Sequence, residues 1–125
     1  MELIDSAREI EANGYPPVVA IFIDTLSTNF GTGSENDDTH MRPFARNCID
    51  LANETNSSVV VVHHTGKDSD KGARGSTVIQ GEAYCKLQVR REPDGPSRLE
   101  CLRVATTFPS TRARRISSIF LSYQP

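Results

Sequence analysis

Two short runs of β-branched and apolar residues constrain this chain more than any other feature. They are Val18-Val19-Ala20-Ile21-Phe22-Ile23, which ends at Asp24, and Val59-Val60-Val61-Val62, which ends at His63-His64. Neither run alternates apolar with polar residues, so each suits a strand covered on both faces, and the first is expected in a sheet interior. Between them, Met41, Phe44, Ala45, Cys48 and Ala52 fall on one stripe of a helix that Asp38 or Thr39 can cap. Pro43 is tolerable in that helix through its nearness to the first turn. A strand, a helix and a second strand over Ser58 to His63 make a parallel, right-handed crossover. The class that follows is α/β.

The rest of the chain divides around this unit. Leu3, Ala7 and Ile10 have helical spacing, which predicts a helix from Glu2 to Asn13 with Gly14 as its stop. Thr25 to Asp38 carries Gly31, Gly33, Ser34 and Asn36 and reads as an exposed loop long enough to be functional. Thr65 to Ser76, rich in Gly, Lys, Asp and Arg, reads as a second, mobile loop. From Tyr84 onward the pattern changes to short strands. Tyr84 to Arg91 and Leu99 to Thr106 flank a turn at Glu92-Pro93-Asp94-Gly95-Pro96, and Ile116 to Tyr123 follows. An antiparallel extension is the expectation, giving one domain over 1–125 with an α/β core at 1–83 and a β extension at 84–125.

Bulk properties narrow the functional classes. A chain of 125 residues buries about two thirds of its unfolded surface and needs no covalent staples. Its three cysteines, Cys48, Cys85 and Cys101, are odd in number and widely spaced, with no Cys-x-x-Cys pair, which argues against a disulfide framework or a zinc site. A net charge of −2 argues against holding nucleic acid by an overall positive field. Local basic clusters remain at Lys67, Lys71 and Arg74, and at Arg112, Arg114 and Arg115. The longest apolar stretches are too short to cross a bilayer, so no membrane association is expected. Acidic and polar residues after Met1 show no secretion leader, and a cytoplasmic setting is the default expectation.

The residues that can carry chemistry collect at the ends of the two strands. A carboxylate such as Asp24, at the C-terminal end of a buried parallel strand, lies where ligands gather in such sheets and can orient hydrated magnesium. The bland alternative is an acid that caps a loop. One of His63 and His64 should face the crevice beside Asp24 and can donate a hydrogen bond to a terminal phosphate; an ordinary surface pair is the alternative. Gly72-Ala73-Arg74-Gly75-Ser76-Thr77 can offer Arg74, Lys71 and backbone N–H groups to phosphate, as many solvated loops also can. Gly66-Lys67 is followed by Asp68, and no Gly-x-x-x-x-Gly-Lys-Ser/Thr loop occurs in these residues. Nor does a Gly-x-Ser-x-Gly nucleophile turn.

Taken together, Ile23-Asp24-Thr25-Leu26-Ser27, Asn29-Phe30-Gly31, Glu35-Asn36-Asp37, Val61-Val62-His63-His64-Thr65-Gly66-Lys67 and Gly72-Ala73-Arg74-Gly75-Ser76 resemble the RecA-like ATPases of the plasmid and phage replicative-helicase type, known from the hexameric RepA helicase. The resemblance runs from about Ile21 to Ala83. It implies a partial RecA-like sheet, with a parallel strand-helix-strand core followed by antiparallel strands. It implies that Asp24 is the Walker B acid holding Mg through water, that His64 is the phosphate sensor, and that Lys67 lies just beyond it at the ATP. It also implies that the segment from Lys67 to Thr77, with Lys71, Arg74 and Ser76, faces single-stranded DNA.

Two departures qualify what is implied. The phosphate loop and catalytic glutamate of such ATPases lie upstream of the first helix here, so ATP and Mg are expected to bind only in an intact assembly, and the chain is expected to be inactive alone. Where relatives carry a strand ending in Lys-x-Lys or Lys-x-Arg, this chain has Val104-Ala105-Thr106-Thr107-Phe108-Pro109, with Arg112, Arg114 and Arg115 as candidates for a trans finger. Because the phosphate-loop strand would sit beside the His-bearing strand, Val59 to Val62 is expected to have an open, apolar edge. The expected partners are therefore another copy, giving at least a dimer, or a P-loop-bearing chain. The alternative reading is a non-enzymatic phage or plasmid module that binds nucleic acid or a protein partner; an unrelated α/β protein is the third.

Overall fold

Residues 2–64, 77–104 and 119–124 are described by the computed structural model of the chain. The first helix, α1 (Glu2–Ala12), stops where expected, at Gly14, whose φ of +83° suits a residue without a Cβ. The Gly14 N–H donates to the Glu11 carbonyl at 3.0 Å as the helix ends. Strand β1 (Ala20–Asp24) leads through a short helix, α2 (Leu26–Asn29), to the long helix α3 (Asp38–Thr55) and then to β2 (Ser58–His64). After these come α4 (Thr77–Glu82), β3 (Cys85–Arg90), β4 (Arg98–Val104) and β5 (Ile119–Gln124). Neither α2 nor α4 is expected from the sequence, since each is too short to show a helical period.

β1 and β2 pair in parallel, in register from Ala20↔Ser58 to Asp24↔Val62, so the expected crossover is formed. Val59 and Val61 of β2 are buried with Met41, Ala45, Cys48 and Ala52 of α3, four residues of the expected stripe, and with Leu51, which the stripe does not include. Leu26 of α2 and Val78, Ile79 and Ala83 complete this core, with Ile21, Ile23 and Phe44 packed against it. Each Val, Leu, Ile or Met side chain so buried contributes about 1.5–3 kcal/mol, and each Ala less. No helix among the described residues is long and apolar enough to cross a membrane.

The sheet departs from expectation in two places. Its strand order is β1-β2-β5-β3-β4, so among the described residues β1 is an edge strand rather than an interior one. One face of β1 is also open, with Phe22 69% exposed, so the unbroken apolar run does not here mark a strand covered on both faces. The second departure concerns β5. The β3–β4 hairpin is antiparallel as expected, but β5 runs parallel to both β2 and β3 and lies between them. It pairs with β2 from Val60↔Ile119 to His64↔Tyr123. The edge of β2 is therefore not open, and the expectation of at least a dimer loses the premise it was drawn from. A local sequence pattern marks β5 as a strand but says nothing of its neighbours, and pairing with β2 satisfies backbone groups that would otherwise face solvent.

The N-terminus of α3 is capped one residue earlier than the sequence suggests. The cap is Asp37, not Asp38 or Thr39, and its Oδ1 accepts the Thr39 N–H at 2.8 Å. Pro43 consequently lies in the second turn, where it removes the N–H that would otherwise bond the Thr39 carbonyl. At the far end Asn56 closes the helix in the left-handed region at φ 51°. The backbone N–H of Thr39, then its hydroxyl, and with them the neighbouring His40 hold the Asp37 carboxyl below its ordinary value of 3.8. A depressed folded value means stabilisation that is present above the ordinary carboxylate range and lost as pH falls through the folded value. Asp37→Ala should therefore lower the melting temperature at neutral pH, and the gap to the unmutated chain should close below about pH 4, as checked by thermal melts across pH.

Candidate nucleotide-facing strand ends

The C-terminal ends of β1 and β2 carry the residues of interest, and the strand register sorts them. Asp24 is opposite Val62, and His64 lies two residues further along β2. Neighbouring strands lie roughly 4.8 Å apart and two residues advance roughly 6.6 Å, so the Cα atoms of Asp24 and His64 are about 8 Å apart. By strand alternation both positions belong to the face that carries Phe22 and Val62. His63 belongs to the other face, with Val59 and Val61, and is 5% exposed. The two histidines that the sequence leaves equivalent thus occupy different environments.

Asp24 is exposed at the strand end, and the Asp24–Thr25 peptide bond is cis. The chain then turns at once into α2. The Thr25 hydroxyl lies 3.1 Å from those of both Ser27 and Thr28, and the Asn29 side-chain amide donates to the Thr25 carbonyl at 2.9 Å. Leu26, only 1% exposed, anchors this turn in the core. The carboxylate therefore leaves a tightly bonded turn and faces outward, a disposition that fits a hydrated magnesium ion held through water.

The loop from Phe30 to Asp37 is more closely fastened than its composition suggests. Gly31 has φ +87°, and Gly33 lies so near His40 that a Cβ there would meet the His40 Cβ and Cγ at 3.0 Å. The Ser34 N–H donates to His40 Nδ1 at 3.2 Å, and the Phe30 and Phe44 rings sit 5.6 Å apart. These contacts carry Glu35 to His63, with Oε2 3.9 Å from Nε2. That Glu35 oxygen is buried and has no hydrogen-bond partner among the described residues. Glu35 is the residue that site reasoning from the sequence misses; an acid followed by a helix cap in a Gly-rich loop gives no local sign that it will reach β2.

Of the remaining candidates, Lys67, Lys71, Arg74, Ser76, Arg112, Arg114 and Arg115 lie outside the described residues. Two clefts among the described residues, one between α3 and α4 at Arg42, Arg46 and Ile49 and one at the β3–β4 turn, are not lined by Asp24. Glu35→Ala, which takes a carboxylate from a buried imidazole 3.9 Å away, should lower stability by at most about 1 kcal/mol in urea unfolding. An unchanged midpoint would mean that the Glu35–His63 contact contributes nothing.

No curated protein and no solved structure matches the chain. The family model described as an AAA domain does match, over residues 2–70, from α1 past the end of β2 and through Asp24 and both histidines. That span is more than half of the chain, which therefore belongs to the AAA domain family, a family of RecA/AAA-like ATPase domains.

Proposed function

We propose that this chain supplies the acid and sensor side of the ATP–magnesium site in a RecA-like DNA helicase ATPase. The observation that carries the reading is the register: Asp24 and His64 share one alternating set at the C-terminal ends of adjacent parallel strands, while His63 is buried on the other face. Ligands of open α/β sheets bind beyond such strand ends. Asp24 orients the hydrated magnesium of ATP, and His64 donates a hydrogen bond to the terminal phosphate, with Lys67 just beyond it. Magnesium bridging the phosphates neutralises developing charge. Glu35 against His63 ties the loop after Asp24 to the strand that carries His64, so a shift at one strand end is felt at the other. Lys67, Lys71, Arg74 and Ser76 contact single-stranded DNA through backbone phosphates.

A phosphate loop is not among these residues, so ATP hydrolysis requires one from outside them. A second reading is favoured by β5, which fills the sheet position beside β2 that the resemblance reserves for the phosphate-loop strand. In that reading the domain is a non-enzymatic module that binds nucleic acid or a protein partner.

Nucleotide titration separates the readings, and a DNA-binding measurement tests the loop assignment. Titration with millimolar Mn²⁺–ATP, followed by amide NMR, should broaden Asp24, Thr25 and His64 first, and Asp24→Asn should remove the effect. Broadening centred elsewhere, or untouched by Asp24→Asn, would overturn the nucleotide assignment. For single-stranded DNA, the triple change Lys67→Ala, Lys71→Ala, Arg74→Ala should weaken binding and reduce the log–log salt slope by about 2, from about 0.7 per phosphate contact. Unchanged affinity in fluorescence anisotropy would remove that loop from the DNA interface.

A further inference from the structure

Cys85 and Cys101 are separated in sequence by a whole hairpin, yet the sheet brings them together. Cys85 opens β3, and Leu87, two residues on, is opposite Cys101 in β4. Residues two apart in a strand share a face, so Cys101 lies on the face of Cys85. The register shifts between Lys86↔Arg103 and Leu87↔Cys101, leaving Leu102 as an extra residue in β4. Such a bulge tightens the local twist of the pair. The two thiols hydrogen-bond and neither is in a disulfide. At this diagonal offset their Cα atoms are about 7–8 Å apart, so closing a bond between them draws β4 toward β3 at the bulge.

Their surroundings suit a reaction between them. Cys101 is exposed and Cys85 half-buried, whereas Cys48 is buried in the α3 core with its thiol pushed up to about 11. No group of three His, Cys, Asp or Glu side chains gathers among the described residues, so none of these adds to the pair the further ligands that zinc needs. We propose that Cys85 and Cys101 are a reversible redox pair, closed to an intramolecular disulfide by a small-molecule disulfide such as oxidised glutathione.

The exposed Cys101 reacts first: its thiolate attacks one glutathione sulfur, forming a mixed disulfide and releasing one glutathione thiolate. Cys85 then loses its proton to solvent, attacks the Cys101 sulfur and expels the second glutathione. The two protein thiols lose two electrons and two protons, and the glutathione disulfide gains both. Burial, then contact with Cys101, raises the Cys85 pKa, which suits it to the second, intramolecular step better than to first attack. The bond staples β4, the outer strand of the sheet, to β3.

The folded chain is incubated with oxidised glutathione, quenched with acid, denatured and alkylated with iodoacetamide. Its mass should fall by about 2 Da before alkylation, and one thiol rather than three should then alkylate. Trypsin cleaves between the two cysteines after Lys86 and Arg98, so a linked Cys85–Cys101 peptide pair should appear and vanish with dithiothreitol. Cys85→Ser should stop the reaction at a glutathione adduct on Cys101. Three alkylated thiols, a lasting glutathione adduct on the unmutated chain, or a dithiothreitol-sensitive dimer on a non-reducing gel would each overturn the proposal.

Discussion

The parallel pairing of β1 with β2 is the constraint on which the rest of this molecule depends. Its register, Ile21↔Val59 and Ile23↔Val61, turns one face of both strands toward the helices and leaves Asp24 on the other. A shift of one residue would exchange the two faces and send the acid into the core, because the side-chain period of a strand is two. Burial of Val59 and Val61 beneath Met41, Ala45 and Cys48 opposes any such slip. The position of the carboxylate is thus a by-product of hydrophobic packing several residues away.

The same alternation separates the roles of adjacent histidines. His63 follows Val59 and Val61 inward and meets Glu35, while His64 stands at the alternate position, in the register set of Val60, Val62 and Asp24. The loop that brings Glu35 to β2 is held by close contacts, with Gly33 against His40 and Phe30 against Phe44. At position 33 it is the nearness of His40 and Phe30, rather than an unusual φ, that favours glycine, since a Cβ there would make these side chains give by a few tenths of an ångström. Membership of the AAA domain family accords with this layout, since the matched segment spans the crossover and both strand ends.

The outer part of the sheet follows a different logic. β5 enters between β2 and β3, running parallel to both, and joins the crossover to the antiparallel hairpin in one five-stranded sheet. The hairpin ends the sheet at β4, where ion pairs of Glu100 with Arg90 and Arg98 are exposed and contribute little. Its bulge, by contrast, alters which side chains meet, and it is there that two cysteines of distant sequence become neighbours.

The crossover was legible in the sequence, because β-branched runs and the Met41–Ala45–Cys48–Ala52 stripe are local patterns, and local patterns select helix and strand directly. Asp24 and the paired histidines were legible for the same reason, as they stand at the ends of those runs. What tertiary structure alone decided were relations between segments: which histidine turns inward, that Glu35 reaches it, that β1 is an edge, that β5 fills the place beside β2, and that Cys85 meets Cys101. Each of these depends on register or on which strand finds which edge. Those choices are made by the summed packing and hydrogen bonding of residues far apart in the chain, and no window of sequence contains both partners.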